Sequence, residues 1–361
     1  MIASGNIFIE RLGRLQKSLS AWTIEALLIT NMDNVRYLSG FAGSEGLLVV
    51  CPDHSILLVD GRYTIQARLQ CEAVEVMEFS DRIAKLVEVF RKRRPDRIGF
   101  ESASMNVGFY RELTRRLRGT SLVALDNDLR CLRARKDAGE IALMKKAAGI
   151  GSSAIRTVLK RAESGWTERE FALALEFAAR QAGADALAFD PIVASGKNAA
   201  LPHAKPSGRK LRRGDFVVVD FGVRYRGYCS DETCTFAIGE LTDAQKNAYR
   251  AVKLAHDEAI ALIRHGVKTA DVDACVRRVF GKKYEKYFVH GTGHGVGLDV
   301  HEPPRLASGS ADVLETGMVV TVEPGLYFPG RWGIRIEDTV WVQEKGCEKI
   351  TSMNKKLIVM D

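Results

Sequence analysis

Two nine-residue stretches, GDFVVVDFG at 214–222 and GMVVTVEPG at 317–325, repeat one pattern: a glycine, an apolar run, an acid and a closing glycine. Aligned on their first glycines, they place Asp220 on Glu323, and Gly227 then falls on Gly330. A second acid follows in each copy, Asp231 and Glu337. His203 in HAKP and His301 in HEPP also correspond, each three residues before a proline. The apolar runs read as core strands. Duplicated halves need no shared site, but core strands seldom carry an acid at the same place in both copies. A buried carboxylate is costly unless it is paired or binds a metal. Two such hairpins facing across a pseudo-twofold axis bring the four acids together. Left alone, they repel one another and take up protons. Two divalent cations would remove that repulsion.

The helices repeat as well. A helical pattern over 138–163 runs to Ser164 and Gly165, and a second helix is opened by Thr167 with Glu170 as a capping box and closed by Gly183. In the other half, Thr242 with Gln245 opens a helix that runs to about 264 and breaks at Gly266. A shorter helix follows, with Val272, Cys275, Val276 and Val279 on one face.

Between these helices and the second apolar run lies HGTGHGVGLDVHEPP, at 290–304. It holds His290, His294 and His301, three of the seven histidines, separated by glycines that let backbone approach a ligand closely. So many glycines exclude a helix, and the stretch reads as an irregular strand or loop aiming imidazoles into a cleft. A lone histidine is usually just packed; three within twelve residues point to a site. With His294, the acids make a donor set of mostly oxygen plus one imidazole. That set suits Mn²⁺, Co²⁺ or Zn²⁺ in an open catalytic site rather than a closed cysteine site. Cys234, three residues from Asp231, points to the other strand face and reads as packing.

The first 130 residues read differently. Apolar runs at 25–30, 46–51, 55–60, 73–79, 97–102 and 121–126 are strands, and 81–94 and 105–117 are helices between them. The first of these helices presents Ile83, Leu86, Val87 and Phe90 on one face and is stopped by Pro95. This is an α/β domain without a Gly-rich phosphate loop. The charged stretch 132–140 marks a junction, so two domains are expected, 1–130 and 131–361; 361 residues is too long for one ordinary core.

Charge and cysteine usage bound the setting. Glu10 and Arg11 stand where a signal peptide needs an apolar core, and no apolar run reaches membrane-spanning length. Seven cysteines without tight spacing indicate reduced thiols and a cytoplasmic protein. The net charge of +8 lies in short clusters without interleaved aromatics, which reads as solvated faces and not as a nucleic-acid surface.

The set Asp220, Asp231, His294, Glu323 and Glu337 resembles the five metal ligands of the pita-bread metallopeptidases, which include methionine aminopeptidases, aminopeptidase P and prolidase. The resemblance extends over nearly the whole chain. DNVRYLSGF at 33–41 and the strands after it resemble the N-terminal domain of aminopeptidase P and prolidase. GIRIEDT at 333–339, with Arg335 two residues before Glu337, resembles the same proline-specific branch. Cys234 stands where many relatives have arginine.

The resemblance implies an α/β (α+β) fold: a creatinase/prolidase-like α/β domain followed by a pseudo-twofold pita-bread domain. It implies a homodimer, two divalent cations, manganese foremost with cobalt or zinc as alternatives, and hydrolysis of a peptide with proline at its second position. His203 would stabilise the tetrahedral intermediate, His301 would contact the peptide, and Glu323 would both ligate metal and shuttle a proton. His290 would line the proline pocket, and Arg335 would hold Glu337 in place and reach the substrate. A ligand-less binding protein and a metal-free creatinase-like hydrolase are opposed by the five filled ligand positions. No basic residue other than histidine occurs in 290–301 or 317–327. That favours a site open beyond proline, an Xaa-Pro aminopeptidase, with an Xaa-Pro dipeptidase as the alternative.

Overall fold

The computed structural model describes residues 6–125, 129–162 and 165–360. Asp126, Glu163 and Ser164, at the ends of expected elements, lie outside the described residues. The chain divides into two compact units, Met1–Arg130 and Cys131–Asp361.

The first unit holds α1 (Asn6–Ala21), β1 (Ala26–Ile29), α2 (Met32–Ser39), β2 (Leu47–Val50), β3 (Ser55–Asp60), α3 (Thr64–Gln70), β4 (Glu75–Phe79), α4 (Arg82–Arg93), β5 (Arg97–Glu101), α5 (Val107–Arg116) and β6 (Ser121–Leu125). The strands form one mixed sheet in the order β4-β3-β2-β1-β5-β6. β1 and β2 are buried at every residue, which is why they read as unbroken apolar runs. α4 starts at Asp81, whose side chain accepts from Ile83 N and Ala84 N. It packs Leu86, Val87, Val89 and Phe90 into the core with Leu28, Val49 and Leu58.

The second unit starts with α6 (Ala138–Leu159), α7 (Glu168–Gln181), β7 (Ala186–Leu187), β8 (Ile192–Ser195), β9 (Phe216–Phe221), β10 (Val223–Tyr225), β11 (Tyr228–Cys229) and β12 (Glu232–Ile238). Its other half is α8 (Asp243–Leu262), α9 (Thr269–Tyr284), β13 (Gly293–Gly295), β14 (Glu302–Leu306), β15 (Val319–Val322), β16 (Gly325–Phe328), β17 (Trp332–Arg335), β18 (Asp338–Val342) and β19 (Cys347–Lys349), with β20 (Val359–Met360) last. The capping boxes at Thr167–Glu170 and Thr242–Gln245 are both formed. A third, Asp137–Glu140, opens α6.

The repeat is structural, down to single hydrogen bonds. Gly165 N donates to Leu211 O as Gly266 N donates to Leu314 O, and Gly214 N donates to Ile238 O as Gly317 N donates to Val342 O. Thr167 bridges Lys210 as Lys268 bridges Val313. Each half carries its own core, one with Phe171, Val219 and Phe236, the other with Val252, Val276 and Val320. β9 pairs antiparallel with β12, and β15 with β18. Each central strand carries a site acid at its C-terminal end, Asp220 one residue before the end of β9 and Glu323 one residue after the end of β15, and both return strands start directly after one. The registers differ in detail: Thr233, not Asp231, is the residue paired with Asp220. No helix of the described residues is long and apolar enough to cross a membrane.

Candidate metal centre

Asp220 is the fifth residue of β9, and Asp231 and Glu337 immediately precede β12 and β18. One oxygen from each of these three carboxylates lies within 4.8 Å of the other two. All three side chains sit in protein interior, Asp231 at 5% and Glu337 at 2% exposure. Glu323, just after β15, lies near enough for its charge to act on Asp231 and Glu337. Two cross-half bonds set the spacing. Thr233 Oγ1 donates to Glu337 Oε2 at 2.6 Å, and Thr339 Oγ1 donates to the backbone oxygen of Asp231 at 2.6 Å.

Burial first, then repulsion from neighbouring acids, raises the pKa values of Asp231, Glu323 and Glu337. Asp231 is pushed well above the usual carboxylate range by desolvation, then by Glu337, Asp220 and Glu323. Glu337 is raised in the same way, by desolvation and then by Glu323 and Asp220. Glu323 is pushed up to about 8, chiefly by burial and against the pull of Arg335. Asp220 Oδ1 is buried without a hydrogen-bond partner. An orphaned buried acceptor beside three further carboxylates is the arrangement a cation relieves.

His294 lies in β13, whose neighbours are glycines for a steric reason. A Cβ on Gly293 would meet Thr321 O at 2.0 Å, and one on Gly295 would meet Pro303 O at 2.2 Å. The close strand approach brings His294 Nε2 to 3.5 Å from Glu323 Oε1 and 3.8 Å from Asp231 Oδ2. Its Nδ1–H donates to Gly295 O, so Nε2 turns its lone pair to the acids. Burial, then His301, lowers its pKa to about 4, so the ring is neutral at pH 7. His301 is exposed, its ring centroid 4.3 Å from that of His294.

Arg335 reaches Glu337 through an intermediary, Thr233. It makes no direct ion pair with Glu337. Its Nη2 donates to Asp220 Oδ2 at 2.5 Å, and its Nε donates to Thr233 Oγ1, which in turn holds Glu337. The cause is the break between β17 and β18, which separates the two residues and sends the guanidinium across to the first half. Its Nη1 donates to Tyr327 OH at 2.8 Å and to Pro202 O at 3.1 Å. Tyr327 OH then donates to His290 Nε2 at 2.9 Å, and His290 Nδ1–H donates to Gly291 O at 2.7 Å. Burial, then Arg335, keeps His290 neutral with a pKa of about 4. Phe288, His290 and Tyr327 form an aromatic wall, with centroids 5.1 and 5.4 Å apart. His203 lies exposed in a turn, near enough for an electrostatic influence on His290.

One cation near the site lies just past residues 290–301. Arg305 of β14 is the cross-strand partner of His294. Directly opposed residues of an antiparallel pair project from the same face. Arg305 is exposed, and its charge bears on the His294 ring.

Residues 142–344 match the metallopeptidase family M24, and residues 11–135 match the creatinase/prolidase N-terminal domain. The chain belongs to metallopeptidase family M24. Among M24 relatives, the Xaa-Pro dipeptidase of Pyrococcus horikoshii is 33% identical over 98% of this chain and the whole of its own. The solved Xaa-Pro dipeptidase from Bacillus anthracis superposes with a TM-score of 0.95 at 36% identity, covering 99% of this chain and all of that one. The X-Pro aminopeptidase from Thermotoga maritima gives a TM-score of 0.89 at 35% identity, covering 96% and 99%. This M24 chain also recruits Thr233, Tyr327 and Arg305, which carry no motif. Alternation along β12 could have flagged Thr233, and the β13–β14 turn could have flagged Arg305.

Proposed function

We propose that this M24 peptidase is an Xaa-Pro dipeptidase using two divalent cations, manganese foremost, held by Asp220, Asp231, His294, Glu323 and Glu337. The observation that carries the metal reading is the orphaned Asp220 Oδ1 amid carboxylates whose pKa values are raised by burial and mutual repulsion. Bound cations supply Lewis acidity for the scissile carbonyl and a hydrolytic water acidic enough to ionise near neutral pH. Glu323 is placed to take that proton and pass it to the departing proline nitrogen. His203 stabilises charge developing on the carbonyl oxygen, and His301 holds the peptide. The wall of Phe288, His290 and Tyr327 packs the proline ring.

Arg305 favours a dipeptide. A cation on the His294 face, at the exposed rim, suits the free carboxylate that follows proline in Xaa-Pro. The names of the P. horikoshii and B. anthracis relatives agree with this. The aminopeptidase reading is favoured by the lack of basic residues other than histidine in 290–301 and 317–327 and by the T. maritima neighbour. Measuring kcat/KM for Xaa-Pro and Xaa-Pro-Yaa with one Xaa decides between them. A dipeptidase turns over the first and spares the second; efficient cleavage of the tripeptide selects the aminopeptidase. Arg305→Ala should raise KM for the dipeptide by roughly tenfold or more.

A further inference from the structure

The loop that carries His203 is fastened at its base by one buried carboxylate. Glu168 is the first residue of α7 and has no solvent exposure. Its Oε1 accepts from Ser195 N at 2.7 Å, Ser195 Oγ at 2.8 Å and Asn198 Nδ2 at 3.1 Å. Its Oε2 accepts from Ser207 N at 3.0 Å, Ser207 Oγ at 2.6 Å and Asn198 Nδ2 at 3.1 Å. These donors lie at the start of the loop (195 and 198) and at its end (207). Between them the chain leaves the core and exposes Leu201 and His203. At the tip, Arg335 Nη1 takes Pro202 O, the residue next to His203. The tip therefore touches the acid-bearing scaffold through Pro202 and is tied down at its base through Glu168.

A buried acid with this many donors is often only a packing device, and here its position says more. The α7 N-terminus favours a negative charge at this place. The donors come from both arms of a single loop, so they fix the loop's closure. Burying Glu168 without them would be costly. Catalytic groups tolerate little displacement, since a misplacement of about 1 Å can cost about a hundredfold in rate.

We propose that Glu168 is a positioning residue for catalysis: it closes the 195–207 loop so that His203 meets the substrate carbonyl. This rests on the role given to His203 above. The test is a double-mutant cycle of wild type, Glu168→Gln, His203→Ala and the double variant, each loaded with Mn²⁺ and assayed on an Xaa-Pro dipeptide. Glu168→Gln keeps the size but places an amide donor against N–H donors. The expected result is a kcat drop of about tenfold or more with KM and metal content little changed, and no further drop when His203 is already alanine. Amide exchange at Ser195 and Ser207 should quicken in Glu168→Gln and stay protected in His203→Ala. Multiplicative losses, or unchanged exchange, overturn the proposal. If His203→Ala alone keeps full turnover, the role of His203 fails, and the clasp loses its catalytic purpose with it. Where Glu168→Gln does not fold, Ser207→Ala removes one donor at the half-buried end of the loop. It should show the same non-additivity, and additive behaviour there overturns the proposal equally.

Discussion

A His203→Ala chain should keep its metal and lose turnover, by roughly 10²-fold, as when one group stabilising an oxyanion is removed. Elemental analysis beside a steady-state assay checks both halves of that statement; lost metal would move His203 into the ligand set. His290→Ala should lower kcat/KM for Xaa-Pro substrates at full metal occupancy, because its ring is tied to Tyr327 and Gly291 and not to the acids. An unchanged proline preference would place the pocket elsewhere. The acids and histidines were legible in the chain because a duplicated pattern exposes an acid that does not belong in an apolar run. Tyr327 was not. A tyrosine in an apolar strand looks like core, and only the tertiary structure puts its hydroxyl between Arg335 and His290. Glu168 hid for the opposite reason: an acid in the first turn of a capped helix looks like a dipole partner.

Among the elements, β13 is the most constrained. Its glycines admit the neighbouring backbones at distances no side chain tolerates, so Gly293→Ala should push β13 off β15 and carry His294 away from the acids. The expected outcome is a folded chain with weaker Mn²⁺ binding, read by calorimetric titration; wild-type affinity would show that the strand absorbs a methyl group at no cost. Helix starts at Thr167 and Thr242 were readable because a capping box is local chemistry. α1 escaped because its charged residues were weighed against a leader sequence, while Leu12, Leu15 and Leu19, all buried, carry the helical spacing. The link from Arg335 to Glu337 runs through Thr233, a relay that spacing along the chain does not reveal.

For the whole molecule, stability, metal and pH are linked. Glu323 is pushed up to about 8, and Asp231 and Glu337 are raised too, so the metal-free fold holds protons that the unfolded chain releases near pH 4. Their contribution to stability is present below that pH and is lost as pH rises through the folded values. Cations replace those protons. The difference in Tm between Mn²⁺-loaded and chelated protein should therefore widen from pH 5 to pH 8; a constant gap would contradict the clustered-acid reading.

Thr233 with Glu337, Thr339 with Asp231 and Arg335 with Asp220 all join one half of the repeat to the other. Neither half owns a complete donor set, so the centre is an interface that happens to lie inside one polypeptide. A chain cut after the exposed Glu240, between β12 and α8, would turn that interface into a contact between two separate pieces. Manganese would then act as the adhesive: the pieces should co-purify with metal present and part more readily in chelator, as a dimer does when its shared ligand is taken away.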